Sequence, residues 1–136
     1  MKQLCYISFL AEGLDTKEVM KSIKEVSKIK NDKYGLTGLL IYSNEIFLQV
    51  LEGEEVNVDI TYKIIQNDTR HFGSQILFEQ ENTERAYSEW SMKFNYLEKI
   101  DLTVINRMLH FSNEIKRKQG LSNTEIVSIF ENFLKI

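Results

Sequence analysis

The stretch Gly35–Gly53, GLTGLLIYSNEIFLQVLEG, decides the fold of this chain. It contains two apolar runs, Leu39–Tyr42 and Ile46–Leu51, joined by the short polar turn Ser43-Asn44-Glu45. Two apolar runs around such a turn are typical of a β-hairpin, and Asn44 suits its left-handed position. The sequence therefore predicts two adjacent antiparallel strands here.

Gln49 is an unusual residue in the second of these strands. Strand alternation places it on the same face as Phe47 and Leu51. A carboxamide on an apolar strand face must find hydrogen-bond partners, because an unsatisfied buried polar group destabilises the fold. The partners of Gln49 are therefore a clue to function.

Length and composition restrict the class of protein. A chain of 136 residues with 43% apolar and 27% charged residues is expected to form one globular domain. The net charge of −3 argues against a nucleic-acid surface or a polybasic membrane patch. The single Cys5 excludes an intrachain disulfide, and no Cys/His cluster predicts a metal site. No segment is long enough for a signal sequence or a membrane span, so we expect a soluble protein, most simply a cytoplasmic one.

The N-terminal segment Gln3–Phe9 alternates like a strand. Its two faces would carry Leu4, Tyr6 and Ser8 on one side and Cys5, Ile7 and Phe9 on the other. The second face is wholly apolar and is the expected contact with the bulk of the core. The first face has polar tips that need partners if it is covered too.

A helix is predicted to follow, opened by Asp15 with Glu18 at capping-box spacing. Four inward positions then recur at three- and four-residue steps: Met20, Ile23, Ser27 and Asn31. Asn31 is either the C-terminal stop of this helix or a carboxamide that points into a cavity between helix and sheet. Spacing alone favours the helix stop.

The remaining elements up to residue 96 can be assigned from pattern. A second helix over Val56–Asn67 has apolar residues on more than one face, which predicts burial around much of its girth. We expect a loop over Asp68–Gly73, a fourth strand over Gln75–Glu79 and a short fifth strand over Trp90–Phe94.

The order of these elements predicts an α+β fold. It is β-α-β-β-α-β with one extra strand, which is the ferredoxin-like arrangement: a mixed five-stranded sheet with two helices on one face and right-handed crossovers. Two C-terminal helices are expected, one over Leu102–Lys118 and one opened by the capping box Ser122–Glu125. They either cover the open face of the sheet or form an oligomer or partner surface.

Motifs for covalent chemistry are not found. Neither His71 nor His110 sits in a recognisable nucleophile arrangement, and no phosphate-binding glycine loop is present. The pair Arg70-His71 can hold a phosphate, although such a pair more often lies in an exposed loop. What remains is a set of neutral hydrogen-bonding side chains on elements expected to be neighbours: Tyr6, Ser8, Asn31 and Gln49. Such a set suits recognition of the edge of a heterocycle.

Several separated motifs match one known family, the BLUF domains, which are blue-light sensors that bind flavin. They are Tyr6-x-Ser8, Asn31 four residues before Gly35, GLTGLLIY at 35–42, FLQVLEG at 47–53, DTRH at 68–71 and WSM at 90–92. In this order and spacing they are highly specific, and over about Leu4 to Phe94 the chain strongly resembles the family.

The resemblance implies roles for three residues. Tyr6 resembles the tyrosine that gives an electron and a proton to the photoexcited flavin. Gln49 resembles the glutamine that bridges this tyrosine and the flavin, and whose amide rotates or tautomerises in light and shifts the absorption to the red. Asn31 resembles the asparagine that hydrogen-bonds the pyrimidine edge of the ring.

Further positions follow from the same resemblance. It implies that Ile23 and Ile65 sandwich the ring, with Ser8 and Ser27 nearby, and that Arg70 and His71 lie at the ribityl-phosphate end. Trp90 and Met92 resemble the signalling pair of the fifth strand. Many members have Asn, His or Arg where this chain has Lys30, and a lysine there is expected to favour contacts with the flavin phosphates.

The resemblance also implies the cofactor and partners. We expect non-covalent FAD, or alternatively FMN, in a photosensor domain over 1–96, followed by a C-terminal helical extension over 97–136. The protein is then not an enzyme, and it signals by contact to a separate protein. A homo-oligomer is expected, with no nucleic acid and no membrane among its partners.

Other functions on a ferredoxin-like sheet are less well supported. One alternative is a light-independent flavin-binding, ligand-binding or protein-interaction module. An RNA-recognition module needs exposed strand aromatics in basic surroundings, and an acylphosphatase-like enzyme needs a phosphate loop after the first strand. Neither feature is evident in the sequence. The colour of the purified protein separates a flavoprotein from these alternatives.

Overall fold

The computed structural model describes residues 1–43, 45–81, 84–88 and 93–96. Its elements, in chain order, are β1 Lys2–Leu10, α1 Thr16–Tyr34, β2 Thr37–Ser43, β3 Ile46–Gly53, α2 Glu55–Gln66, β4 His71–Glu81 and β5 Lys93–Tyr96. The predicted signalling residues Trp90 and Met92 and the two predicted C-terminal helices lie outside the described residues. Within the described part of the chain, no helix is both long and apolar enough to cross a membrane.

The strands form one sheet in the order β4-β1-β3-β2-β5. The pairs β4–β1, β1–β3 and β3–β2 are antiparallel, while β5 runs parallel to β2. Strands β1 and β2, joined through α1, are thus parallel to each other with β3 inserted between them. The prediction of an α+β fold with a β-sheet and two helices is confirmed.

In the turn of the central hairpin β2–β3, Glu45 has a left-handed backbone conformation with a φ of 68°. The sequence pattern predicted this conformation at Asn44, which lies outside the described residues. A positive φ is unfavourable for glutamate, and two hydrogen bonds hold it here. Glu45 N donates to Tyr42 Oη at 3.2 Å, and Leu10 N donates to the Glu45 carbonyl at 2.8 Å.

One buried apolar cluster joins the sheet to both helices. The helices contribute Val19 from α1 and Val58 and Tyr62 from α2. The strand members alternate along each strand and so share one face: Leu4, Tyr6 and Leu10 of β1, Leu40 and Tyr42 of β2, and Phe47 and Leu51 of β3. The face that carries Tyr6 is therefore the face on which the helices pack.

The opposite face of the sheet is buried as well. It carries Cys5, Ile7, Ile41, Leu48 and Val50, all buried. Burial raises the pKa of the Cys5 thiol far above its usual range, so Cys5 packs as a small apolar side chain. Both faces of β1 are therefore core, not only the wholly apolar one.

The expectation that α2 is buried around much of its girth is wrong. Val56, Ile60 and Ile64 are 60%, 47% and 45% exposed, whereas Val58 and Tyr62 are buried. Residues four apart lie along one side of a helix, and this row is the more exposed side of α2. One side of α2 contacts the core, and the second apolar stripe is partly exposed.

Strand β4 begins earlier than the sequence predicted. His71, Phe72 and Gly73 are part of the strand, not of a loop, and β4 runs from His71 to Glu81. Gly73 has a φ of 67°, and the register with β1 shifts between Ile7 and Phe9. Gly73 therefore marks a β-bulge, and a Cβ there would lie 3.1 Å from the Phe9 ring.

Candidate functional site

Tyr6 and Gln49 form a buried hydrogen-bonded pair on the helix-covered face of the sheet. They lie directly opposite each other in the antiparallel register of β1 and β3, and each is 4% exposed. Tyr6 Oη donates to Gln49 Oε1. Burial raises the pKa of Tyr6 well above its usual range, so the phenol stays protonated and acts as the donor.

The Tyr6 ring is also stacked on a second tyrosine. Its centroid lies 5.2 Å from that of Tyr62 on α2, and the ring planes differ by 13°. Tyr62 Oη and Ser74 Oγ are 2.6 Å apart and hydrogen-bonded. The stack fixes the plane of Tyr6, and hence the direction of its O–H toward Gln49. Neither Tyr62 nor Ser74 was singled out from the sequence.

A cleft between the two helices opens above this pair. Its empty volume is about 780 Å³, including the solvent at its mouth. The lining residues are Tyr6, Ile23, Val26, Ser27, Lys30, Asn31, Tyr34, Leu40, Phe47, Gln49, Thr61, Ile64, Ile65, Asp68, Arg70 and His71. Its walls are largely apolar, with Ile23 from α1 and Ile65 from α2, and a few polar groups lie among them. This is the usual character of a small-molecule site.

Asn31 lies at one end of the cleft and is not a helix stop. Helix α1 continues to Tyr34 and ends at Gly35, which has a left-handed φ of 64°. The Asn31 carbonyl accepts the Gly35 N–H and also the Leu36 N–H, the latter at 2.8 Å. The capping function therefore belongs to the backbone of Asn31, while its buried side chain lines the cleft.

Arg70 lies at the other end and connects the segment after α2 to α1. Its Nη1 donates to Ser22 Oγ at 2.8 Å, and its Nε lies 3.0 Å from both carboxylate oxygens of Asp68. A further ion pair joins Arg70 Nη2 to Asp68 Oδ2. Hydrogen bonding from Arg70 lowers the pKa of Asp68. The guanidinium is thus held in a fixed orientation at this end of the cleft.

His71 links three elements around Tyr6. Its Nε2 donates to the Ile65 carbonyl, which can only accept. In the neutral ring Nδ1 is then an acceptor, and Ser8 Oγ donates to it at 2.8 Å. The ring centroid lies 6.4 Å from those of Tyr6 and Phe47. Ser8 is therefore a support for His71 and is not among the lining residues.

The structure brings together most of the residues that the sequence singled out. The predicted site residues that line the cleft are Tyr6, Ile23, Ser27, Lys30, Asn31, Gln49, Ile65, Arg70 and His71. The sequence reasoning missed Leu40 and Phe47, although both share the face of Gln49 by strand alternation. It also missed Thr61, Ile64 and Asp68, which lie within one helical turn of Ile65 or beside Arg70.

This arrangement has a definite chemical capacity. A cleft with isoleucines from two helices suits a planar ring, and two carboxamides can pair with a ring edge that has both donors and acceptors. A buried phenol in contact with an amide can release an electron and move its proton a short distance. Among the described residues, no group of His, Cys, Asp and Glu is arranged to bind a metal.

Comparison with known proteins identifies the family. The family model described as BLUF, "Sensors of blue-light using FAD", matches residues 1–93. Photoactivated adenylate cyclase subunit alpha of Euglena gracilis is 31% identical over 101 residues, which are 74% of this chain and 10% of that protein. The chain thus spans about a tenth of the length of this curated relative.

Solved structures give the same result. A bacterial light-regulated adenylyl cyclase superposes with a TM-score of 0.66 and 36% identity, over 86% of this chain and 34% of that one. BlsA in its photo-activated state superposes with a TM-score of 0.72 and 25% identity, over 98% of this chain and 94% of that one. The chain therefore belongs to the BLUF family of blue-light sensors that use FAD.

Proposed function

We propose that the cleft between α1 and α2 binds the flavin ring and that light acts on the Tyr6–Gln49 pair. The observation that carries this proposal is the direct cross-strand pairing of the two residues, buried, hydrogen-bonded and lining one cleft. A phenol and a carboxamide so placed form a neutral hydrogen-bonding unit that can change its arrangement without creating a buried charge.

The residues of the cleft fit a flavin. Its flat tricyclic ring needs apolar walls, which Ile23 and Ile65 supply from the two helices. Its pyrimidine edge alternates acceptors and a donor, which suits the Asn31 carboxamide at one end. Lys30, Arg70 and Ser27 would contact the polar side chain and phosphates of FAD, or of FMN in its place. His71, held by Ser8, would support the Tyr6 side of the ring.

The protein residues determine how the light reaction proceeds. When bound, flavin supplies the absorption of blue light and a strongly oxidising excited state. Tyr6 would give one electron to the excited flavin, and the proton on its Oη would move along the hydrogen bond to Gln49 Oε1. The Gln49 amide then rotates or tautomerises, which turns a different edge of the carboxamide toward the cleft. Tyr6 would regain the electron from the flavin and a proton from the Gln49 amide, and the rearranged Gln49 would remain as the signal.

The output of this signal is proposed to be contact with a separate protein, with no catalytic activity in the chain itself. The similarity to BlsA extends over 98% of this chain and 94% of that one, which supports a photosensor of the same fold along most of the chain. We infer that residues 1–96 form the photosensor on a ferredoxin-like sheet, that Trp90 and Met92 pass on the change at Gln49, and that residues 97–136 form two helices. The buried second face of the sheet, with Ile7, Leu48 and Val50, supports a cover by these helices. A homo-oligomer remains part of this proposal.

The decisive experiment is absorbance spectroscopy of the purified protein. We expect a yellow protein whose flavin band shifts to the red in blue light and returns in the dark. Gln49→Leu and Tyr6→Phe should keep the yellow colour and lose the shift, whereas Thr69→Ser, at an exposed position, should behave as wild type. A colourless protein that takes up no added flavin would contradict the proposal. A yellow protein without a light response would favour a light-independent flavin-binding module.

A further inference from the structure

Glu52 is a fully buried carboxylate that lies outside the cleft. It is located on β3, three residues after Gln49, and strand alternation points the two side chains to opposite faces of the sheet. A buried charge is strongly unfavourable unless hydrogen bonds compensate for the lost water. The donors around Glu52 therefore reveal what the residue holds in place.

Two of these donors are the cross-strand neighbours of Glu52. Gln3 on β1 and Thr37 on β2 are its register partners on either side. Gln3 Nε2 donates to Oε2 at 3.0 Å, and Thr37 Oγ1 donates to Oε1 at 2.8 Å. Gln3 is itself oriented by Gln80 of β4, whose Nε2 donates to Gln3 Oε1 at 2.7 Å. The carboxylate is therefore part of a network that reaches across four strands.

The other donors come from the segment after β4. The backbone N–H groups of Ala86 and Tyr87 donate to the two oxygens of Glu52, at 2.8 and 2.6 Å. Arg85 Nη1 adds bonds to Thr37 Oγ1 at 3.0 Å and to the Glu52 carbonyl at 3.3 Å. The described segment 84–88 forms no strand of the sheet, so these bonds fix its position against β3.

This segment leads directly into the last strand. Only residues 89–92 separate it from β5, which pairs in parallel with β2. Gln49 and Glu52 share β3, so a change in the bonding of Gln49 that moves the β3 backbone also moves the carboxylate. The N–H groups of Ala86 and Tyr87 are bonded to that carboxylate, so these residues and the chain after them would move with it.

We propose that Glu52 is a positioning residue that transmits the change at Gln49 to the 84–88 segment and from there to β5. The proposal rests on the proposed function for the light step at Gln49. It adds a route for the structural change on the face of the sheet opposite the cleft. This route runs from Glu52 through the 84–88 segment to β5.

The test is Glu52→Gln in the flavin-loaded full-length protein, with hydrogen exchange measured in the dark and in blue light. Glutamine keeps the shape but turns one acceptor oxygen into a donor, which then opposes the N–H of Ala86 or Tyr87. We expect exchange at the amide that loses its acceptor to be faster in the dark by about tenfold or more, as for loss of a hydrogen bond to a charged group. The light-minus-dark difference in exchange over 85–96 should disappear while the red shift of the flavin persists.

The matched control is Glu54→Gln, which makes the same charge change at an exposed residue whose side chain forms no cap hydrogen bond. It should leave both exchange and red shift as in wild type. Unchanged dark exchange at both Ala86 and Tyr87 in Glu52→Gln would contradict the claim that Glu52 holds the 84–88 segment in place. A purely structural role for Glu52 would leave the light-minus-dark difference in exchange unchanged. A preserved difference in that variant would therefore contradict the proposed transmission.

A second variant covers the case in which Glu52→Gln does not fold. Arg85→Gln removes the bonds to Thr37 and the Glu52 carbonyl at a half-buried position. Exchange at Ala86 and Tyr87 should again rise and the light-minus-dark difference should weaken; wild-type behaviour would overturn the proposal. A wild-type protein without a red shift would contradict the proposed function. Hydrogen exchange of the variants in the dark would still test whether Glu52 holds the 84–88 segment in place.

Discussion

The two faces of β3 each bury a polar side chain, and the two are held in different ways. On the cleft face, Gln49 is neutral and accepts the O–H of Tyr6. On the other face, Glu52 is an acceptor for donors on β1, β2 and the 84–88 segment. A carboxamide can exchange its donor and acceptor ends by rotation, whereas a carboxylate offers acceptors in every orientation. The difference teaches that one strand can carry both a group suited to switching and a group suited to fixing the chain.

The largest effect should come from removing the fixed group. Glu52→Ala leaves the N–H groups of Ala86 and Tyr87 without acceptors, so we expect a loss in the free energy of unfolding on the order of 3 kcal/mol or more. Gln49→Ala removes the acceptor of one phenol and should cost about 1–2 kcal/mol. Urea denaturation in the dark measures both values. A Gln49→Ala loss as large as that of Glu52→Ala would remove the distinction between the two faces.

A smaller effect should come from the support of Tyr6 on the cleft face. Tyr62→Phe keeps the ring stacked on Tyr6 but removes the hydrogen bond to Ser74, for an expected loss of about 1 kcal/mol. Ser74→Ala should cost a similar amount, and the double variant should cost less than the sum because both changes remove the same bond. Additive losses in thermal or urea unfolding would contradict a direct Tyr62–Ser74 interaction.

The smallest effect should be the pH dependence contributed by Asp68. Hydrogen bonding from Arg70 lowers the pKa of Asp68 in the folded protein. Its contribution to stability is therefore fully present above the unfolded pKa of about 3.9 and is lost as the pH falls through the lower folded value. Asp68→Asn should flatten the stability curve in this acid range by less than about 1 kcal/mol, measured by thermal unfolding. An identical slope in the variant would show that Asp68 does not contribute.

The sequence was sufficient for features that depend on local pattern. The hairpin follows from its two apolar runs, and the face of Gln49 follows from alternation. The helix start at Asp15 follows from its cap: its carboxylate accepts the Lys17 N–H at 2.9 Å. The joint motif pattern around Tyr6, Asn31 and Gln49 identified the family. Each motif alone would have been interpreted as ordinary core.

Features that depend on tertiary contacts could not be predicted in this way. Periodicity showed two apolar stripes on α2 but not that the stripe through Ile60 is partly exposed. A glycine just before an apolar run predicts a loop. Gly73 instead forms a bulge, because β4 extends on both sides of it and pairs with β1 near Phe9. The burial of Glu52 could not be predicted either, because it depends on donors from distant parts of the chain.

Asn31 separates recognition from architecture within one residue. Its carbonyl, which every amino acid has, ends α1 by accepting the N–H groups of Gly35 and Leu36 and so sets the path into β2. Its side chain alone lines the cleft. The chemistry at this end of the cleft can therefore be exchanged, by design or in the course of evolution, while the turn that leads from the helix into the central hairpin keeps its geometry.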